Sequence, residues 1–401
     1  MQQISGSRVV NMTLRDKVIQ DFRQHYRYDP QLVVRAPGRV NLLGAHVDYN
    51  EGWVLPAATE QAVWLAASPS TGQMVNIKAV DFEGQDAGFS LDDLTARDGE
   101  RVLTWLDYPR GAAWTLQSNG YHVTPMDVVF AGDVPIGAGV SSSAAVEVAF
   151  LTAWNWLGKL QLDPVELAKL GQQVENRYIG LASGIMDQFA SVHGSEDHLV
   201  LLDCRSLEHA LVPLPPDCAI LVADTGIRRA LASTEYNVRR SQCEEAVAIL
   251  KESLPEIHTL RDVTPHEFEM NAHRLPLLLR RRAQHVVEEC RRVLEGAELL
   301  RQGDVASFGG LLRDSHASAR DLYEVSIPEL DLLAATAWQV DGCYGARLTG
   351  AGFGGCIVVL ASAEATERIV SALRQAYQAS VGRVPRIFET RAAEGASVLK
   401  P

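Results

Sequence analysis

Apolar residues change their spacing along this chain, and the changes mark out its elements. Val18, Phe22 and Tyr26 recur at the interval that puts side chains on one helical face, so residues 1–30 read as helical. From 32 to about 77, short apolar runs alternate with Gly and Asn turn signals, the pattern of β-strands. Another apolar run, at 128–130, predicts a strand. It leads into a glycine- and serine-rich stretch and then a helix over 144–157, and 164–178 reads as a further helix. Strands are expected at 199–202 and 219–223, long amphipathic helices from 236 to 321, and an apolar strand at 356–360. Sheet and helix mix without regular βαβ alternation, which argues for an α+β fold. A chain of 401 residues exceeds one comfortable core, so two domains are expected. The division falls near residue 210, giving 1–210 and 211–401. The prolines of Pro213-Leu214-Pro215-Pro216 make either a hinge or a simple loop there.

A composition of 47% apolar and 22% charged residues is ordinary for a globular protein and changes nothing in this picture. The net charge of −13 does, because general binding to nucleic acid or to membranes needs basic surface. It leaves a local site for an anionic nucleotide open. Cys204, Cys218, Cys243, Cys290, Cys343 and Cys356 show no paired spacing and no Cys-x-x-Cys, which suits free thiols in a reducing cytoplasm better than disulfides or zinc. The N-terminus lacks the basic region and apolar stretch of a signal peptide, and no apolar run reaches the length of a membrane span.

Three blocks carry candidate chemistry. Gly38-Arg39-Val40-Asn41-Leu42-Leu43-Gly44-Ala45-His46-Val47-Asp48-Tyr49-Asn50 crowds a cation, a histidine and a carboxylate beside a strand signal, where such groups usually contact something. Pro135-Ile136-Gly137-Ala138-Gly139-Val140-Ser141-Ser142-Ser143 lets a backbone approach a ligand closely and ends where a helix begins, a place that favours phosphate. It is neither a Walker A loop, lacking Gly-Lys-Ser/Thr, nor a dinucleotide fingerprint, since Ser142 stands where the third glycine belongs. Its plain alternative is a glycine turn with a serine N-cap. Leu348-Thr349-Gly350-Ala351-Gly352-Phe353-Gly354-Gly355-Cys356 enters the last apolar strand.

Together, and in this order, the three blocks resemble the motifs of the galactokinase branch of the GHMP superfamily, named after galactokinase, homoserine kinase, mevalonate kinase and phosphomevalonate kinase. The resemblance spans about residues 30–360. It implies an N-terminal domain like ribosomal protein S5, a C-terminal ferredoxin-like domain with long helices that closes the cleft, and ATP-dependent phosphorylation of a sugar's anomeric hydroxyl. Residue by residue, it implies Asp187, in Gly184-Ile185-Met186-Asp187-Gln188-Phe189, as the acceptor of the hydroxyl proton, with Arg39 beside it and the γ-phosphate. Glu175 and Ser143 fall where the family holds Mg²⁺. Pro135, Gly137, Gly139, Ser141 and Ser142 fall on the phosphate loop, and Trp105 and Tyr108 on the adenine pocket, though a tryptophan in core packing reads equally well. His46, Asp48, Gly184 and Tyr236 fall on the sugar side, Asp48 receiving the C3 and C4 hydroxyls. His285 and His316, on predicted helices, are taken as structural.

The chain departs from the family at Ala45, where most galactokinases carry a glutamate that holds the sugar's C6 hydroxyl. The galacturonate kinases of the family resemble it there, with Gly-Ala-His-x-Asp. Galactose is the leading substrate, with galacturonate and L-arabinose as alternatives. From another class comes a non-catalytic sensor that binds sugar and ATP, disfavoured because Arg39, Asp187 and the serine loop are all present.

Overall fold

The computed structural model describes residues 12–81, 85–96, 102–228 and 232–401. The helix expected over 1–30 is α1 (Leu14–Tyr26), capped by Thr13, whose hydroxyl accepts the Asp16 N–H, and stopped by Arg27 in the left-handed region. Residues 1–11 of that expectation lie outside the described chain. Val18 and Phe22 are buried as the spacing requires.

The β region supplies β1 (Leu32–Leu43), β2 (Trp53–Pro69), β3 (Met74–Ala79) and β4 (Gln85–Ser90). After α2 (Asp107–Ser118) come β5 (Met126–Gly132), α3 (Ser142–Leu157), α4 (Pro164–Gln173), α5 (Met186–His193), β6 (His198–Asp203) and β7 (His209–Pro213). The second half adds β8 (Cys218–Asp224), α6 (Ala232–Leu250), α7 (Pro265–Asn271), α8 (Leu277–Arg301), α9 (Val305–Asp321), α10 (Pro328–Trp338), β9 (Cys343–Thr349), β10 (Cys356–Ser362), α11 (Thr366–Val381), β11 (Arg386–Thr390) and β12 (Ser397–Leu399).

Among the described residues these strands make two sheets. The first runs β12-β1-β2-β5-β3-β4, with β6 beside β2 and β7 beside β6; the second runs β11-β8-β10-β9. Every pairing is antiparallel except β3 with β5. β1 to β7 all belong to the first sheet and the second begins with β8, with Pro215 and Pro216 between β7 and β8. The chain's end corrects the assignment of all of 211–401 to the second half. Val33 pairs with Leu399 and Arg35 with Ser397, so β12 returns to the first sheet. One apolar cluster joins Val40 and Leu42 of β1 to Val293 and Phe308 of α8 and α9 and to Val358 of β10. This shared core packs the two halves together beside the cleft.

Two expected helices differ in detail. The helix over 164–178 is α4, started by the Asp163 cap and Pro164, and it passes into a π-helical turn, Val174–Ile179. α3 is buried on nearly every side, with Glu147 as its single acidic residue. A carboxylate in so apolar a helix needs a reason, and the site supplies one.

Candidate active site

β1 carries Arg39 to the floor of a cleft, then turns. Gly44 has φ +96°, and a Cβ there would meet Trp53 O and Val54 Cα at 2.8 Å each, so only glycine makes this turn. The loop that follows presents His46 and Asp48 to a cavity of about 430 Å³. Its other walls are Gly137, Gly139 and Ser141–Ser143 from the glycine–serine loop, Glu175 from the π-helical turn, Gly184 and Asp187 at the start of α5, Tyr236 on α6, and Gly350 and Ala351 before β10.

Arg39 grips Asp187 with two parallel bonds, Nε to Oδ1 and Nη2 to Oδ2, both 2.8 Å. Its third nitrogen donates to Gly139 O at 2.5 Å. The Arg39 side chain is 5% exposed and that of Asp187 25%, so the carboxylate faces the cavity while the guanidinium braces it from behind. Ser141 caps α3 with its backbone only. It sits at φ 59°, ψ 50°, and its hydroxyl turns to Asp187 Oδ2 rather than to the helix. The serine loop and the carboxylate are thus one unit.

Asp48 lies against Gly184 so closely that any Cβ at 184 would collide with its carboxylate. Burial, and then the negative charge of Asp187, push the Asp48 carboxyl up to about 7. His46 lines the cavity, but both ring nitrogens are engaged by protein. Nε2 lies 3.0 Å from Ala351 O, an acceptor only, so Nε2 carries the proton. Nδ1 then accepts from the Tyr49 hydroxyl at 2.9 Å, which in turn accepts from the Tyr323 hydroxyl at 2.7 Å. Burial lowers the His46 pKa to about 3, so the ring is neutral. Its imidazole lines the cavity and ties the loop to Ala351.

Ser143 Oγ stands 3.2 Å from Glu175 Oε1, and Ser183 holds Glu175 Oε2 at 2.5 Å. Burial and then Asp187 raise the Glu175 pKa. Burial and then Glu175 raise that of Glu147, whose Oε2 accepts from Gln188 at 2.9 Å. Four carboxyl groups therefore converge here, and the arginine in contact with them is committed to Asp187. Such an excess of acceptors suits a cation. A hydroxyl and a carboxylate beside a glycine–serine loop fit Mg²⁺, which keeps several waters and takes few protein ligands. Among the described residues no three His, Cys, Asp or Glu side chains form a cage of their own.

A second cavity of about 360 Å³ adjoins the serine loop. Trp105, Tyr108, Phe130, Val134, Ile136 and Val146 give it apolar walls, with Ser142 and Ser143 at the edge shared with the first cavity. The ring centroids of Trp105 and Phe130 are 5.7 Å apart. Flat rings in an apolar slot beside a phosphate loop match what an adenine requires.

Most of the expected residues thus converge. Two do not reach a cavity wall. Pro135 is buried and shapes the loop, its carbonyl accepting from Ala138 N at 3.5 Å. Ala45 is 3% exposed and is not among the lining residues, and its peptide groups are held by α8, so the expectation that it faces a sugar's C6 finds no support in the cavity. His316 is structural, its Nδ1 accepting from Leu348 N and its Nε2 meeting Asp331. Sequence reading missed Ser183, Tyr49, Glu147 and Glu289. Of these, Glu147 left a signal, a lone acid in an apolar helix.

The chain matches the family model for the galactokinase galactose-binding signature over 20–69, that for the GHMP kinase N-terminal domain over 107–195 and that for the GHMP kinase C-terminal domain over 297–379. It is 46% identical over 374 residues to the galactokinase of Roseiflexus sp. (strain RS-1), covering 93% of this chain and 94% of the relative. It is 41% identical over 362 residues to that of Chloroflexus aurantiacus, covering 90% and 92%. Its fold resembles the crystal structure of Lactococcus lactis galactokinase complexed with galactose, with a TM-score of 0.89, 33% identity and coverage of 94% and 98%. A mevalonate kinase structure, at 20% identity and a TM-score of 0.63, shares the two-domain fold. With the glycine–serine loop, the Arg39–Asp187 pair and the Asp48 loop placed around one cleft, the chain belongs to the GHMP kinases, in their galactokinase branch.

Proposed function

We propose that this protein is an ATP-dependent galactokinase that phosphorylates the anomeric C1 hydroxyl of galactose. The observation that carries the reading is the two-bond Arg39–Asp187 pair, standing between Asp48 on one side and the glycine–serine loop on the other. A hydroxyl held by Asp48 and a phosphate held by the loop would meet at that carboxylate.

The chain's own groups then have defined work. Asp48 accepts sugar hydroxyls and rejects an epimer that leaves it unpaired. Backbone N–H groups at the start of α3 receive phosphate oxygens, and the slot between Trp105 and Tyr108 takes the adenine. The C1 oxygen attacks the γ-phosphorus while its proton passes to Asp187. The bond from that phosphorus to its bridging oxygen breaks, and ADP leaves. Arg39 keeps the carboxylate aimed and places positive charge beside the transferring group. Ser143 and Glu175 are the residues that would hold Mg²⁺, which when bound offsets the negative charge of the phosphates.

The galacturonate and L-arabinose readings rested on Ala45 facing C6, and relatives named galactokinase favour galactose. Among the described residues no helix is long and apolar enough to cross a membrane, and six free cysteines suit a reducing cytoplasm. The test is ADP release from the purified chain with galactose, glucose, galacturonate and L-arabinose. Galactose should give the highest kcat/KM. Galactose binding by calorimetry with no ADP release would overturn the kinase reading in favour of a sensor, and a higher kcat/KM for galacturonate would overturn the choice of sugar.

A further inference from the structure

Helix α8 places His285 and Glu289 four residues apart on one face, and both are fully buried. They do not touch the cavity. Both reach the loop that carries His46 and Asp48. Glu289 Oε1 accepts the N–H groups of Gly44 at 2.9 Å and Ala45 at 3.0 Å, and also the Ser315 hydroxyl at 2.6 Å. Its other oxygen accepts from Arg292 at 2.6 Å. His285 Nε2 lies 3.0 Å from Ala45 O, an acceptor only, so it donates there, and Nδ1 accepts from the Ser318 hydroxyl at 2.8 Å. Both peptide groups flanking Ala45 are therefore held by α8, a helix from the other half of the chain.

This is a costly way to satisfy three backbone groups. A buried carboxylate with arginine partners is weak evidence for stability and is better explained where it sets a register. Against the effect of burial, Arg292 and Arg347 hold the Glu289 carboxyl well below the usual carboxylate range, so the acceptor is charged at every working pH. Two successive N–H groups converging on one oxygen fix the loop's direction as it leaves Gly44, and Asp48 follows four residues later.

We infer that Glu289 and His285 are positioning residues for sugar recognition, a clamp on the peptide groups around Ala45 through which α8 aims Asp48 into the cleft. The inference rests on the reading of Asp48 as the sugar-facing carboxylate. The clamp sets discrimination as well as affinity, because a displaced Asp48 pairs a galacto hydroxyl less well and penalises its epimer less.

The test compares Glu289→Gln, His285→Gln and Asp48→Asn by steady-state kinetics and thermal melting. Loss of one charged hydrogen bond corresponds to a factor of about ten or more, so Glu289→Gln should raise the galactose KM by at least that much. His285→Gln should raise it less. Both should lower the galactose-to-glucose ratio of kcat/KM and leave the KM for ATP unchanged. Each effect should shrink in the Asp48→Asn background, the coupling expected of residues acting through one another. Variants that melt lower yet keep the galactose KM and the sugar ratio would overturn the clamp, as would a parallel rise in the KM for ATP. If Glu289→Gln does not fold, His285→Gln decides by the same readouts. Should Asp48→Asn itself leave the galactose KM unchanged, the sugar-site reading fails first, and the two failures are distinct.

Discussion

Asp48 and Asp187 share one cavity, yet their neighbours give them different work. Asp187 is held at both oxygens by Arg39 and touched by Ser141, so it is aimed before any substrate arrives. Asp187→Asn keeps the shape and removes the carboxylate proposed to accept the proton. Its kcat should fall by about 10²–10⁴-fold, the usual contribution of a positioned base, with little change in galactose KM. Turnover near wild type would remove Asp187 from the chemistry. Asp48 lacks such a partner, and burial beside Asp187 pushes it up to about 7. In the free enzyme its accepting form is gained as pH rises through that value, so kcat/KM for galactose should climb from about pH 6 to about pH 8. Asp48→Asn should abolish that limb. For stability the sign is opposite. A carboxyl raised on folding contributes stability that is complete below its unfolded value and lost as pH rises through about 7. Asp48→Asn should therefore raise Tm at pH values above about 7 and not in acid. Gly184→Ala probes the same contact sterically. Its Cβ would displace the Asp48 carboxylate, so galactose KM should rise while the KM for ATP holds.

At the scale of elements, two departures from regular geometry build the end of the cleft proposed for the nucleotide. α3 begins after Ser141 in the left-handed region, and the Ser141 hydroxyl turns to Asp187 instead of capping the helix. α4 passes into a π-helical turn, a rare insertion found mostly at functional sites, and that turn carries Glu175 to Ser143 and Ser183. Apolar periodicity located both helices, but a one-residue insertion leaves no trace in the spacing of apolar positions. Glu175→Gln should raise the Mg²⁺ concentration needed for half-maximal ADP release, because a charged ligand becomes a neutral one. An unchanged Mg²⁺ titration would leave Glu175 a buried structural acid held by two serines.

At the scale of the whole molecule, the halves meet where two backbones touch. A Cβ on Gly350 would meet Gly139 O at 2.7 Å and Gly139 Cα at 2.8 Å, and one on Gly139 would meet Thr349 O at 2.9 Å. The third glycine block is the surface on which the phosphate loop rests. Gly350 also has φ +80°, so Gly350→Ala is strained in its own backbone. It should lower Tm and raise the KM for ATP more than that for galactose. Equal effects on both substrates would show general loosening instead of a displaced phosphate loop. His46 makes another tie between the halves, through Ala351 O.

The sequence by itself determined many of the elements and the fold class, and its motifs pointed to the candidate site residues. Its three glycine-rich blocks require backbone conformations that few residue types allow, and such requirements are written locally. Arg39, Asp48 and Ser143 were legible because they stand within those blocks, and Asp187 because the separate segment Gly184–Phe189 resembles the family's. What only the tertiary structure decided is which groups those residues meet. Arg39 and Asp187 are 148 positions apart along the chain, and Ala45 and His285 are 240 apart. No local pattern records such a pairing. The same holds for β12, three ordinary residues until they pair with β1. Ala45 shows the limit most plainly. Its identity suggested a substrate, while its surroundings show a backbone held by a distant helix, because a side chain's role depends on where folding points it and what folding packs against it.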